Sequence, residues 1–467
     1  MNNKSIAKNI SYSLISQVIS LAVSFLLNLI VPRFISEYNY AYWQSYVLYI
    51  GYVGILHFGI IDGLVLRYSQ FDYDEINHQS VRSQFYLLII IDIVFCFSII
   101  LFLRNIIKGV AGKIMVFVAV GIVTKNIATY SYYLLQITNR IKKYALIIIL
   151  NRVAYGLIVV CLLVLKVDDY VFICIADLFC DLITICYAFS CSKALYIGKA
   201  LPFRDTLKET SESIKAGIFV LVANWSSNLI IGSGKMIVQW HWDNLLFGKL
   251  SFAFSLSNIF LSFVTAISVV LFPSIKRMDV GLLPGLYKRI RDAISPILFS
   301  VLIFYFPGCL ILDLWLPKYH NSLGYLGILL PMIIFTTKVN LLTNNYLKAY
   351  RKEKNLLSIN LGCVVIGVIL YLISALLFDS IVCLLVSVVF VLITRSIISE
   401  IVIMKIIKIN LTKEFLIELL MTGVFIFCAI LKEQLLGFLF YFSALIVYFI
   451  LNKKSISATI GMIRKSR

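Results

Sequence analysis

Any chemistry in this chain would come from ionisable side chains set in strongly apolar surroundings. Lys125, Arg152, Lys338 and Arg395 lie deep within apolar runs, and Arg33 and Lys235 near the edges of others. The acidic counterparts are Asp92, and Asp177 with Asp181, four residues apart and so on one helix face. A charge within hydrocarbon costs at least about 2.5 kcal/mol unless it is paired or wet. Two readings follow for the N-terminal half: Lys125 or Arg152 forms an ion pair with Asp177 or Asp181, or the cations line an aqueous cavity and Asp92, Asp177 and Asp181 take part in ion coupling. In the C-terminal half the sequence offers Lys338 no deep acidic partner, and Arg395 only Glu400, near a helix end. A cationic cavity, whose natural ligand is an anion, is the expectation there.

Polar stripes add to this. Ser13, Gln17, Ser20, Ser24 and Asn28 fall on one helix face, as do Ser251, Ser255, Asn258, Ser262 and Thr265, with Asn224, Asn228 and Lys235 on a similar line. Singly, such residues are interhelical hydrogen-bond glue. As long stripes in equivalent helices they point to a water-filled cavity. His57 reads as a hydrogen-bonded structural residue, and Asp62 with Arg67 as a pair across a helix end. Asp168-Asp169 is an isolated pair of carboxylates in a short loop. No H-E-x-x-H, G-x-S-x-G, P-loop or metal-spaced Cys/His cluster occurs, so neither a cofactor nor enzymatic catalysis is implied. The ten cysteines lie within or at the ends of apolar runs and read as small packing residues.

The elements that must position these groups are membrane helices. Of 467 residues 61% are hydrophobic and 14% charged, with a mean hydropathy of +0.95. The apolar runs approach the roughly 20 residues needed to cross a bilayer. Fourteen spans are expected, among them about 10–31, 41–62, 112–136, 144–166, 170–190, 215–237, 247–273, 293–316, 325–348, 380–403, 414–431 and 434–451, with twelve plus a final hairpin as the alternative. The net charge of +19 reflects basic residues between spans, which set topology and meet anionic lipid, so nucleic acid is not an expected partner. Lys and Arg are about threefold more numerous in alternate connections, which puts both termini in the cytoplasm. Connections on the other side are short. The two long ones, about 191–214 and 274–292, are internal, and the second reads as a solvated loop or a basic amphipathic surface helix.

An internal repeat organises the spans. Thr124-Lys125, Tyr133-Leu134 and the basic turn Arg140 and Lys142 recur as Thr337-Lys338, Tyr346-Leu347, Lys352 and Lys354 around Arg351, with the lysines and tyrosines offset by 213. Asn28-Leu29-Ile30 recurs as Asn228-Leu229-Ile230 at an offset of 200. Two parallel six-helix halves follow: an N-terminal lobe over 1–192, a cytoplasmic linker over 193–214, a C-terminal lobe over 215–405, and a hairpin and tail over 406–467. The last two spans lack polar stripes and are expected outside the working core.

Val31-Pro32-Arg33-Phe34, the aromatic Tyr42-Trp43, Gly59-Ile60-Ile61-Asp62-Gly63 with Arg67-Tyr68, and Leu271-Phe272-Pro273 carry a resemblance. The chain resembles the Wzx-type polysaccharide flippases of the multidrug/oligosaccharidyl-lipid/polysaccharide exporter superfamily. The resemblance implies an all-α, polytopic, MATE-like fold of two six-helix lobes in the bacterial inner membrane. It implies alternating-access translocation of an undecaprenyl-pyrophosphate-linked oligosaccharide, such as an O-antigen or capsule repeat unit, with polysaccharide polymerase or chain-length proteins as further partners. A cation-coupled multidrug exporter or a lipid II flippase of the same superfamily is the alternative. A membrane glycan polymerase or glycosyltransferase, the alternative from another class, would need catalytic carboxylates or arginines on a large external loop.

Overall fold

Long apolar runs can cross a bilayer only as helices, because hydrocarbon offers the backbone no hydrogen-bond partners. The computed structural model describes residues 3–71, 73–106, 109–277, 281, 283–431 and 433–453, with backbone alone at 3–10, 103–106 and 262–277. Every regular element among these residues is helical. The chain divides into two compact units, Met1–Trp225 and Ser226–Arg467.

The first unit holds α1 (Asn3–Phe34), α2 (Glu37–Ile50), a 3-10 turn (Val53–His57), α3 (Ile60–Tyr68), α4 (His78–Ile106), α5 (Gly109–Ile137), α6 (Ile141–Val164), α7 (Tyr170–Cys191), the short α8 (Lys193–Tyr196) and the first part of α9 (Phe203–His241). In it α1 packs on α6, α4 on α5, and both α5 and α6 on α7. The second unit holds the rest of α9, then α10 (Asn244–Arg277), α11 (Leu283–Leu302), α12 (Tyr305–Trp315), α13 (His320–Leu329) and α14 (Met332–Lys338). A π-helical turn (Val339–Thr343) leads to α15 (Asn344–Ala349), α16 (Glu353–Leu376), α17 (Ile381–Ile407), α18 (Thr412–Ile430) and α19 (Gln434–Leu451). Here α16 packs on α17, α13 on α10, α17 and α18, and α14 on α17.

Among the described residues, 11 helices are long and apolar enough to cross a membrane, or 13 if each of two bent pairs is one span. The α18 helix, 19 residues with Lys413, Glu414 and Glu418, lies at the expected span 414–431 and is not among them. Outward-facing leucines, valines and phenylalanines run along the spans, Leu157, Val164 and Phe97 among them, as a lipid-bathed surface requires. This is a multi-pass membrane protein.

Three differences from the sequence reading have local causes. The second span is broken: α2 and α3 meet at 56° across a turn in which Phe58 and Gly59 adopt left-handed backbone conformations. The left-handed φ of +85° at Gly59 suits glycine, and a Cβ there would lie 2.7 Å from the backbone nitrogen of Ile218. Gly63 and Gly217 likewise let α3 and α9 touch backbone to backbone, so the Gly-Ile-Ile-Asp-Gly motif is a helix-crossing device. The segment 191–214 is largely ordered by α8 and the start of α9, and is held by Arg82, whose guanidinium donates to the carbonyls of Ala194 and Lys199. The segment 274–292, read as a loop or a surface helix, is from Leu283 onward the helix α11, which runs on without interruption to Leu302.

Candidate functional site

In the first unit the deep charges converge on α5 and α7. Lys125 Nζ lies 2.9 Å from both Asp177 Oδ2 and Asp181 Oδ2, the i, i+4 pair of α7 presenting both carboxylates to one ammonium. Tyr46 of α2 donates to Asp177 at 2.8 Å, and Thr124 to Asp181 at 3.3 Å. Asp181 is buried, but Lys125 keeps 26% of its side chain accessible, so the cluster opens on one side.

Arg152 is not part of this pairing. It is the twelfth of the 24 residues of α6, its side chain is exposed, and no hydrogen bond or ion pair engages it among the described residues. The neighbouring Asn151 is buried and donates to Thr184 of α7 at 3.0 Å, which fixes the helix rotation and turns Arg152 outward. A guanidinium at mid-span is costly in hydrocarbon unless it is paired or wet. Asn224, Asn228 and Asn258 are also exposed at span interiors. Ser20, Ser24 and Ser255 are half-buried, and Asn28 turns its amide onto the carbonyl of Ser24 at 2.8 Å. Arg33 is exposed in the last turn of α1. The side chains of Ser262 and Thr265, and those of Leu271-Phe272-Pro273, lie outside the described residues.

The second unit corrects the sequence reading. Lys338 is 1% exposed and has two deep acidic partners, Glu400 Oε2 of α17 at 3.0 Å and Glu418 Oε2 of α18 at 2.6 Å. Arg291 of α11 completes the group, 3.1 Å from Glu400 and 2.9 Å from Glu418. Two cations and two anions balance, and Tyr287 adds a hydrogen bond to Glu400 at 3.2 Å. Arg395 does not pair with Glu400. Buried on α17, it donates to Asn360 at 2.9 Å and to Ser227 at 2.8 Å. Lys235 lies 5.7 Å from the ring centroids of Phe247 and Phe254, a cation–π arrangement. The sequence reading gave neither Arg291 nor Glu418 a place in the site: Arg291 fell in the connection read as a solvated loop or a basic surface helix, and Glu418 in a span set outside the working core. An isolated glutamate in Leu416-Ile417-Glu418-Leu419-Leu420 was the signal for the second.

The remaining charged candidates are structural. Arg67 pairs with Glu209 at 2.8 Å and Glu212 at 2.9 Å, not with Asp62, which lies 3.8 Å from His57. His57 accepts from the backbone N–H of Gly59 at 3.1 Å, and so buttresses the break between α2 and α3. Asp168 accepts hydrogen bonds from Ser36 and Asn39, joining two loops, and Asp169 caps the N-terminus of α7 by accepting from Val171 N–H. Both carboxylates of the pair are thereby engaged in holding local structure. No group of three or more His, Cys, Asp or Glu among the described residues is arranged to hold a metal ion, and all ten cysteines are free thiols.

Known structures share this architecture. Over 96% of this chain and 100% of the other, the fold matches the lipid II flippase MurJ in an inward closed conformation, at a TM-score of 0.66 and 15% identity. A multidrug resistance MATE family transporter of the MOP superfamily, inward-facing, matches over 88% of this chain and 95% of its own at a TM-score of 0.61 and 12% identity. A MOP superfamily transporter from Pyrococcus furiosus, described as having a binding pocket of reversed polarity, matches over 90% of this chain and 96% of its own at a TM-score of 0.53 and 11% identity. No curated protein sequence matches. The all-α, polytopic, MATE-like fold expected from the sequence is therefore shared with these structures. A sequence model of the polysaccharide biosynthesis protein family matches residues 6–279, more than half of the chain, and the chain belongs to that family.

Proposed function

We propose that this protein is a flippase that carries a polyprenyl-pyrophosphate-linked oligosaccharide, a polysaccharide repeat unit such as that of O-antigen or capsule, from the cytoplasmic to the outer leaflet. Its family is one of polysaccharide biosynthesis, and its fold is shared with a lipid II flippase and with multidrug exporters. The observation that carries the reading is Arg152, an exposed and unneutralised guanidinium at mid-span beside the half-open Lys125 cluster. Such a group suits an anion. Arginine presents a planar fork to phosphate oxygens, and charge-assisted hydrogen bonds of this kind are roughly twice as strong as neutral ones. The pyrophosphate would meet Arg152 and Lys125, the glycan would hydrogen-bond to polar side chains of the same unit such as the exposed Asn224, and the polyprenyl tail would stay in lipid. A multidrug exporter handling cations is disfavoured by the same unneutralised arginine.

Alternation of access between the two membrane faces requires the substrate to be held without being trapped. The Lys125 cluster fits this, because its two aspartates compete with the incoming phosphates for one ammonium. Lys338 and Arg291, each already neutralised by buried carboxylates, are assigned to architecture, not to the substrate. Arg395 and Lys235 remain secondary candidates for the polar lining. The deciding experiment reconstitutes the protein in liposomes and scores translocation of a fluorescent polyprenyl-pyrophosphate glycan. Wild type translocates it, and Arg152→Ala does so at least tenfold more slowly. Equal rates for the two, or hydrolysis or polymerisation of the glycan by the purified protein, would overturn the reading.

A further inference from the structure

A second buried carboxylate of the first unit stands apart from the Lys125 cluster. Asp92 is the fifteenth of 29 residues in α4 and fully buried, while the adjoining Ile90, Ile93 and Val94 face outward to lipid. Its one hydrogen bond comes from the amide of Asn126 on α5, Nδ2 to Oδ1 at 2.8 Å. Among the described residues the other carboxylate oxygen, Oδ2, has no hydrogen-bond partner, and neither has Oδ1 of Asn126. Two acceptors thus lie unsatisfied on the two side chains of a single pair, at the middle of a membrane span.

The elements packed against α4 supply no cation to it. These are α5, α3, α8, the 3-10 turn Val53–His57 and α9, whose Ser213 and Glu209 bond to Gln84 and Ser80 near the start of α4 and whose Glu209 and Glu212 are held by Arg67. On α5, Lys125 is held by Asp177 and Asp181, and Tyr130 donates to the carbonyl of Val81. On α3, Arg67 is held by Glu209 and Glu212, Tyr68 bonds to Ser80, and Asp62 lies against His57 of the turn. Tyr196 of α8 donates to Ser131. Lys113, Tyr132 and Tyr133 of α5 and Lys193 of α8 make no hydrogen bond or ion pair with Asp92.

An ionised carboxylate here would have one donor and no counter-charge, at a desolvation cost of several kcal/mol. Two unsatisfied acceptors would add roughly 1–3 kcal/mol each. One proton removes all three penalties. A carboxylic acid is neutral, its O–H uses Oδ2 as a donor, and the free carbonyl of Asn126 is the acceptor on the same amide that already holds Oδ1. A metal cation would need more oxygen ligands than these two. We infer that Asp92 is a carboxylic acid at neutral pH and that the Asp92–Asn126 pair is a proton-binding site at mid-span, distinct from the Lys125 cluster. The site is defined by the packing of α4 on α5 and does not depend on what the protein transports. Release of its proton has to follow separation of these two helices or entry of water between them.

The test is difference infrared spectroscopy on the full-length chain in lipid at neutral pH. Wild type minus Asp92→Asn is expected to show a carboxylic-acid C=O stretch that shifts on deuteration. The amide introduced by Asp92→Asn can exchange hydrogen bonds with the Asn126 amide, so this variant is expected to fold. If it does not, wild type carrying ¹³C-labelled aspartate and its Asn126→Ala counterpart give the same answer: the acid band is present in wild type and moves when its acceptor is removed. Carboxylate bands alone from Asp92, or a spectrum that responds to added sodium ion, would overturn the inference.

Discussion

Lys125 and Lys338 are related by the internal repeat and each meets two carboxylates, yet their replacement by methionine should have opposite consequences. Lys338 is 1% exposed, its partners Glu400 and Glu418 are 0% and 3% exposed, and Arg291 is 2% exposed. Lys338→Met leaves one cation facing two buried carboxylates. Removing one member of a buried ionic group leaves an uncompensated charge, at a cost of about 3–5 kcal/mol. The double variant Lys338→Met/Glu418→Gln removes one charge of each sign and leaves Arg291 paired with Glu400. It should recover most of the loss. The interaction energy in the double-mutant cycle should fall at or above the upper end of the roughly 0.5–3 kcal/mol found for residues in contact. The assay is thermal unfolding of the purified variants in one detergent or nanodisc, followed by tryptophan fluorescence. A Lys338→Met protein that melts with wild type, or a double variant less stable than the single one, would refute the claim that this cluster is a balanced structural device.

The corresponding change in the first unit should separate stability from transport. Lys125→Met is expected to melt within a few degrees of wild type, since the cluster is open to water, and to slow translocation in the liposome assay. Arg152→Ala should lower translocation by at least tenfold, about the 1.5–3 kcal/mol of one hydrogen bond to a charged group, with Arg152→Lys intermediate and the melting temperature unchanged. Asp169→Asn should be silent in both assays because asparagine also caps a helix N-terminus, whereas a loss of activity would reopen a catalytic role for that carboxylate. Gly217→Val should abolish folded protein, read as loss of a monodisperse chromatography peak, because its side chain would enter the backbone of α3 at Gly59 and Gly63.

How far the sequence could be read depended on whether a signal was local. Span number, the helical class and the i, i+4 pairing of Asp177 and Asp181 arise within one helix, where hydropathy and the 3.6-residue period suffice. The pairing of Lys125 with those aspartates was legible because one face of α7 carries both. The environment of Lys338 was not legible, because Glu400, Glu418 and Arg291 come from three other helices and reach it only after α11, α14, α17 and α18 pack. Their positions misled individually: Glu418 sits near the start of a span that lacks a polar stripe, and Arg291 follows Lys288 and Arg289 in what reads as a basic loop. The break of the second span was equally hidden, since Tyr52 to Asp62 is as apolar as an unbroken helix and only the left-handed backbone at Phe58 and Gly59 interrupts it. The asymmetry of the two lobes follows from these non-local facts. The repeat places equivalent lysines, but Arg291 and Glu418 close one of them off, while in the other half Asn151 binds Thr184 and leaves Arg152 exposed. A charge that is sealed and balanced supports the fold, and a charge that is open and unbalanced is available to a ligand. On that distinction the phosphates of the proposed substrate would belong with the N-terminal unit.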